Sequence, residues 1–221
     1  TVKNSIFYPS VGLSFVLSDA LRLPAAINYA KVRASWAQAG GDTDPYQLSL
    51  TYGLSGANGS APLAQVGPTS VPNSKLQPYV STTDEAGLEA RMFNNRLSLD
   101  FAVYSRVTTN DIVRATISPT SGYTGAIFNV GKISNKGVEL MLSYRIGSAT
   151  GFSWEPGINL SYNKSLVNAL YGNLTQITVD NARTQTAQIA QKVGKEYSQL
   201  QVVAYKRNAA GQIIFNSSGM P

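Results

Sequence analysis

The chain has 221 residues, a formal net charge of +6 from 18 Lys+Arg against 12 Asp+Glu, and only 14% charged residues, well short of the roughly 25% of an average soluble domain. It contains neither Cys nor His, which excludes from these residues disulfide frameworks, Cys/His zinc sites, haem attachment, Cys nucleophiles and any Ser-His-Asp triad. The positive charge is scattered rather than gathered into a Lys/Arg run, so nucleic acid is not an expected partner, and no apolar stretch approaches the roughly 20 residues of a membrane-spanning helix.

The N-terminal Thr1-Val2-Lys3-Asn4 carries no apolar leader, so a signal peptide is expected only upstream of it. From there the dominant signal is alternation with a period of two. Residues 7–18 put Val11, Leu13, Phe15 and Leu17 on one face. Residues 28–39 do the same with Val32, Ala34 and Trp36, and residues 83–93 with Ala86, Leu88, Ala90 and Met92. In residues 96–108, Leu97, Leu99, Phe101, Val103 and Val107 oppose Arg96, Ser98, Asp100, Ala102, Tyr104 and Arg106. In residues 137–147, Val138, Leu140, Leu142, Tyr144 and Ile146 oppose Glu139, Met141, Ser143 and Arg145. Residues 151–163 set Phe152, Trp154, Pro156, Ile158, Leu160 and Tyr162 against Ser153, Glu155, Gly157, Asn159, Ser161 and Asn163. Pro156 removes a ladder donor there and predicts a bulge. Residues 198–206 form a weaker candidate, and no segment carries a helical stripe.

Two hairpins can be registered in advance. A two-residue turn at Asn94-Asn95 sets Met92 opposite Leu97, Ala90 opposite Leu99, Leu88 opposite Phe101 and Ala86 opposite Val103. A short loop at Ser148-Ala149-Thr150 sets Ile146 opposite Phe152, Tyr144 opposite Trp154, Leu140 opposite Ile158 and Val138 opposite Leu160. Short links (residues 19–27, 94–95 and 148–150) alternate with long polar ones (40–82, 110–135 and 164–197), the rhythm of outer-membrane barrels. Strands of roughly 11–13 residues reach across a bilayer at a tilt, and Tyr8, Trp36, Phe93, Tyr144, Phe152 and Trp154 fall where interfacial girdles belong. The fold class expected from the pattern is all-β, an antiparallel up-and-down meander of long strands of the outer-membrane-barrel kind.

Several segments carry a family resemblance: Phe7-Tyr8-Pro9-Ser10-Val11-Gly12-Leu13, Val32-Arg33-Ala34-Ser35-Trp36-Ala37-Gln38-Ala39-Gly40, Phe93-Asn94-Asn95-Arg96-Leu97-Ser98-Leu99 and Asn129-Val130-Gly131-Lys132-Ile133-Ser134-Asn135-Lys136-Gly137-Val138-Glu139-Leu140. Together, with Asn135–Glu139 as their most specific part, they resemble the barrel region of SusC/RagA-family TonB-dependent outer-membrane transporters. Tyr205-Lys206-Arg207 and Gly211-Gln212-Ile213-Ile214-Phe215 resemble a late hairpin of the same barrels. The resemblance implies that residues 1–221 are one segment of barrel wall, about six or seven strands of a large transmembrane β-barrel that does not close within this chain, with the plug domain, TonB-contacting box and C-terminal closing strands outside them. It further implies a Gram-negative cell outer membrane, contact with outer-membrane lipid, a SusD-like surface lipoprotein partner, TonB acting through the plug, and a glycan or peptide substrate. No cofactor, metal site or catalytic residue is expected.

On the predicted polar face Glu89 lies opposite Asp100. Paired carboxylates serve glycosidases, but in a wet lumen they read as a wall pair offset by Arg91, Arg96 or Arg145. Arg145 and Glu155 are placed diagonally as a second wall pair. Tyr46, Tyr52, Tyr123, Phe128 and Tyr171 fall in the long links, where aromatic rings stack on sugars or pack the loops; Tyr46, Tyr123, Phe128 and Tyr171 are the candidate ligand-binding residues. The competing fold is a soluble all-β binding or adhesion module of two stacked sheets.

Overall fold

The computed structural model describes residues 6–45, 48–67, 69–148, 150–181, 183 and 186–220. In chain order its elements are β1 (Ser10–Val16), a single helical turn α1 (Leu17–Ala20), β2 (Ile27–Gly41), β3 (Tyr52–Asn58), β4 (Ala61–Val66), β5 (Ser70–Val71), β6 (Tyr79–Met92), β7 (Leu97–Thr116), β8 (Gly125–Tyr144), β9 (Ile146–Gly147), β10 (Ser153–Trp154), β11 (Gly157–Ala169), β12 (Gln176–Asn181), β13 (Ala187–Lys192) and β14 (Gln199–Val202). The principal sheet runs β1-β2-β6-β7-β8-β11, antiparallel throughout, and β5 joins the end of β8 in parallel. It is an open meander, the expected one of the two folds. No helix among the described residues is long and apolar enough to cross a membrane, which leaves crossing by strands open.

Register turns the alternation into rows. Phe15, Val32, Leu88, Phe101, Leu140 and Leu160 are directly paired across all six strands, and the next row is Leu13, Ala34, Ala86, Val103, Val138 and Tyr162. Nothing in the described residues covers this face: Leu13 is 75% exposed and Leu160 59%. Among the described residues no second layer stacks on these apolar rows, as a sandwich would need. From Phe152 to Tyr162 the apolar positions span about 33 Å of strand, or about 25 Å of height at a tilt of about 40°, the height of a lipid-facing belt. One row further on, the same face turns polar at Asp84, Ser105, Lys136 and Lys164, with Val11 and Trp36 still apolar at the β1–β2 side. The upper limit of the belt therefore runs obliquely across the pairing rows, as tilted strands demand.

The first hairpin has the expected register, closed by Asn94 and Asn95 at φ 59° and 60°, the positive-φ turn Asn accepts. The second does not. Ile146 pairs with Trp154, Leu142 with Ile158, Leu140 with Leu160 and Val138 with Tyr162, two residues beyond the expected partners. The backbone amide of Ser148 donates to the carbonyl of Phe152, so Ser148, expected in the loop, is hydrogen-bonded across the hairpin. A slip of two keeps every side chain on its face, so matching apolar to apolar could not detect it. Pro156 makes no bulge either. The ladder stops at Trp154 and resumes at Gly157 with its register unchanged, and the Pro156 carbonyl accepts from the Tyr144 amide.

The largest departure concerns residues 110–135, expected as a long loop. β7 and β8 instead continue as a paired ladder from Asp111↔Val130 to Thr116↔Gly125, leaving a link of residues 117–124. β6 likewise begins at Tyr79 and β11 runs on to Ala169, whereas residues 198–206 yield only the four-residue β14. The extended β7–β8 ribbon carries the main buried cluster: Val113, Ala115, Val167, Leu170 and Ile177, with Phe128 and Val179 against it. Ile177 and Val179 come from β12 of the three-stranded sheet β12-β13-β14, tied to β7 by Thr116 Oγ1 donating to the Val179 carbonyl. Gln176, Gln188 and Gln201 link their side-chain amides across that sheet at 2.7–3.1 Å.

Candidate functional site

The polar face of the six-stranded sheet holds the candidate site, in two tiers. The lower tier is a charge cluster. Glu89 and Asp100 are directly paired, as expected, yet their counter-charges are Lys31 and Arg33 of β2 rather than Arg91, Arg96 or Arg145. Lys31 Nζ lies 2.7 Å from Glu89 Oε1, and Arg33 reaches Glu89 through Nη1 at 3.0 Å, Asp100 through Nη2 at 3.1 Å and Glu85 through Nε at 3.6 Å. A fork-shaped guanidinium suits this bridging. To span from β2 to β7 it must cross β6, and it does so over Gly87, where an added Cβ would stand 2.6 Å from Arg33 Cζ. Tyr104 crosses β8 over Gly137 in the same manner, its hydroxyl donating to Asn163 Oδ1 on β11 at 3.3 Å. Arg91 is engaged elsewhere, 5.7 Å above the Tyr29 ring.

Arg145 and Glu155 do meet, with Nε to Oε2 at 3.6 Å. The revised register sets them directly opposite one another across the break at Pro156. Ser143 Oγ also donates to Glu155 Oε1.

The upper tier is a cleft of about 590 Å³ lined by Tyr79, Ser81 and Thr83 of β6, Arg106, Thr108 and Asp111 of β7, Ala39, Ile133 and Asn135, and closed by Tyr197. Tyr197 stands in the link between β13 and β14, so the small upper sheet is folded back over the polar face. By strict alternation Asp111 would point away from Thr108. It lines the same cleft because Asn110 adopts φ 58°, a left-handed residue that resets the alternation. Asp111 lies eight residues past Val103, which stands in the last row apolar across all six strands, hence about 20 Å above that row. There, burial raises the Asp111 carboxyl above the usual carboxylate range, opposed by the Ile112 amide bonding to it. Burial first, and Asp111 second, raises the Tyr197 phenol, which stays a donor.

The candidate aromatics separate. Tyr46 lies outside the described residues. Tyr52 opens β3 and is exposed, and Tyr123 sits half-exposed in the 117–124 link. Phe128 and Tyr171 come together with ring centroids 5.3 Å apart and line a second, apolar cleft with Val71, Pro72, Ile117 and Ile127. Residue reading missed Lys31, Arg33, Tyr79, Asp111 and Tyr197 as site residues. The one available signal was Asn110, a residue tolerant of positive φ where clean alternation ends.

Comparison with known proteins agrees with this geometry. Residues 1–213 match the TonB dependent receptor-like, beta-barrel family. Among curated relatives, TonB-dependent receptor P26 of Formosa agariphila is 28% identical over 173 residues, 75% of this chain and 17% of the relative. TonB-dependent receptor P3 of the same organism is 28% identical over 163 residues, 72% of this chain and 16% of the relative. The chain thus spans about a sixth of the length of the curated relatives it matches. Among solved structures, the RagAB peptide importer in its closed-closed state superposes with a TM-score of 0.77 at 18% identity, covering 96% of this chain and 25% of that one. The RagAB peptide transporter gives 0.73 at 21% identity, covering 85% and 20%. These neighbours share the fold, and the family's barrels lie in the outer membrane of Gram-negative bacteria. The matched span, the open antiparallel wall and the one-sided apolar belt agree, and the chain belongs to the TonB-dependent receptor β-barrel family.

Proposed function

We propose that these residues form part of the lumen wall of an outer-membrane importer that takes up oligomeric nutrients, peptides or glycans, in a SusC-like assembly. The observation carrying this reading is the two-sided chemistry of one sheet: six strands present uncovered apolar rows on one face, and compensated charges with a hydrogen-bonding cleft on the other. Lipid satisfies the first face and a water-filled passage the second. Two readings accompany it by resemblance: a SusD-like surface lipoprotein closing the entrance, and TonB supplying energy through a plug domain carried by the full-length protein. The peptide importers that share the fold favour peptide cargo; Tyr123 and Tyr171 in links, and Phe128 on β8 rather than in the expected loop, are the residues a glycan would use.

The test is growth of the native host with either an oligopeptide mixture or a glycan mixture as limiting nutrient, with the gene intact, deleted and restored. Loss of growth on one mixture upon deletion, regained with the full-length gene, supports import. Unchanged growth and unchanged cellular uptake of labelled peptides and glycans on deletion contradict it.

A further inference from the structure

The upper cleft holds two charges without ionic partners. Among the described residues, the ion pairs involve Lys31, Arg33, Glu85, Glu89, Asp100, Arg145 and Glu155, and neither Arg106 nor Asp111 takes part. Arg106 spends its Nε on the hydroxyl of Thr83 at 3.2 Å, leaving the outer guanidinium nitrogens without a carboxylate. Among the described residues, Asp111 accepts from the amide of its neighbour Ile112 at 3.0 Å and from no other donor. This contrasts with the charge cluster of the lower tier, where Lys31 and Arg33 each face a carboxylate. The left-handed Asn110 turns Asp111 inward when plain alternation would have left it outside. A half-buried, uncompensated carboxylate held in place by an unusual backbone conformation disfavours folding, and such groups concentrate at binding sites.

An occupant that displaces water from this cleft must answer both charges. A neutral oligosaccharide offers hydroxyls but leaves each charge desolvated. A polyanionic glycan suits Arg106 and is repelled by Asp111. A peptide segment bearing an anionic and a cationic group answers both, and Ser81, Thr108, Asn135 and the Tyr197 hydroxyl supply partners for its backbone. Arg106 and Asp111 lie five residues apart on β7, about 16 Å of strand, the reach of an extended peptide of about five residues.

Resting on the importer reading above, we propose that this cleft is a subsite for a dipolar oligopeptide, with Arg106 receiving its carboxylate and Asp111 its ammonium group. The test titrates the full-length protein in detergent with penta-alanine, N-acetyl-penta-alanine, penta-alanine amide and maltopentaose. On the unaltered protein, each cap is expected to weaken binding by about ten-fold or more, and maltopentaose to bind more weakly than penta-alanine. In Arg106→Gln the amide cap should cease to matter, and in Asp111→Asn the acetyl cap should cease to matter, each variant retaining sensitivity to the other cap. Equal binding of free and capped peptides by the unaltered protein overturns the proposal with no variant needed, and so does tighter binding of maltopentaose. Peptide uptake by cells that survives both substitutions unchanged overturns the subsite while leaving the importer reading standing. Absence of any uptake removes both.

Discussion

Leu140 and Met141 are neighbours on one strand, and their surroundings share almost nothing. Leu140 sits in an apolar row between Phe101 and Leu160; Met141 sits between Asp100 and Asn159, one position along from the Arg33 bridge. Within the belt, the contrast recurs across all six strands of the sheet. It shows that this wall is organised by what each face meets, since a single layer has no interior in which to bury either side.

The sharpest way to break the contrast is to put the same charge on each face. In the full-length protein, Leu140→Lys should cost about 2–4 kcal/mol and deplete assembled barrel, as lysine near the bilayer midplane does. Met141→Lys should stay within about 0.5 kcal/mol. Denaturant titration in lipid vesicles measures both, and equal costs would dissolve the distinction. Next in size is Gly137→Ala, which drives a methyl group into the Tyr104 ring and should cost about 1–3 kcal/mol. The same change at Gly87 should cost less, because the flexible Arg33 side chain can give way. Arg33→Met removes the bridge from Glu89 and Asp100 and should cost about 1–2 kcal/mol, moderated because these side chains are about a third exposed; raised salt should narrow the gap to the unaltered protein.

Asp111→Asn is the smallest effect and opposite in sign. Because burial raises the folded carboxyl above its unfolded value, ionisation disfavours the folded state. That penalty is absent below the unfolded value near 3.9, grows as pH rises through it, and is complete above the folded value. The substitution should therefore raise the thermal midpoint near neutral pH and leave it unchanged at pH 3. A midpoint lowered at neutral pH would assign Asp111 a stabilising contact instead.

Legibility followed the same division. Where lipid and water stand on opposite sides, as along Leu97–Val103, residue alternation reports the strand, its faces and the register of the first hairpin. Above the belt both sides meet water or the small upper sheet, so the ladder from Asp111 to Thr116 carries no such contrast and reads as a loop. The two-residue slip at the second hairpin was invisible for a related reason: a period-two signal repeats when shifted by two. The Glu89–Asp100 pair was visible because it lies within one hairpin, whereas Arg33 reaches it from a third strand over a glycine that sequence adjacency does not reveal. The upper cleft depended on one left-handed asparagine and on a turn folded back from nearly ninety residues downstream, beyond any local pattern.

The central claim, that the apolar rows face lipid and the polar rows a water-filled lumen, is tested most directly by quenching. Single cysteines at Leu140 and at Met141, in a cysteine-free full-length background reconstituted into vesicles, would carry the same fluorescent label. Lipid-borne quenchers should extinguish the label at 140 and spare that at 141, while aqueous quenchers do the reverse. Aqueous quenching at both positions would contradict it.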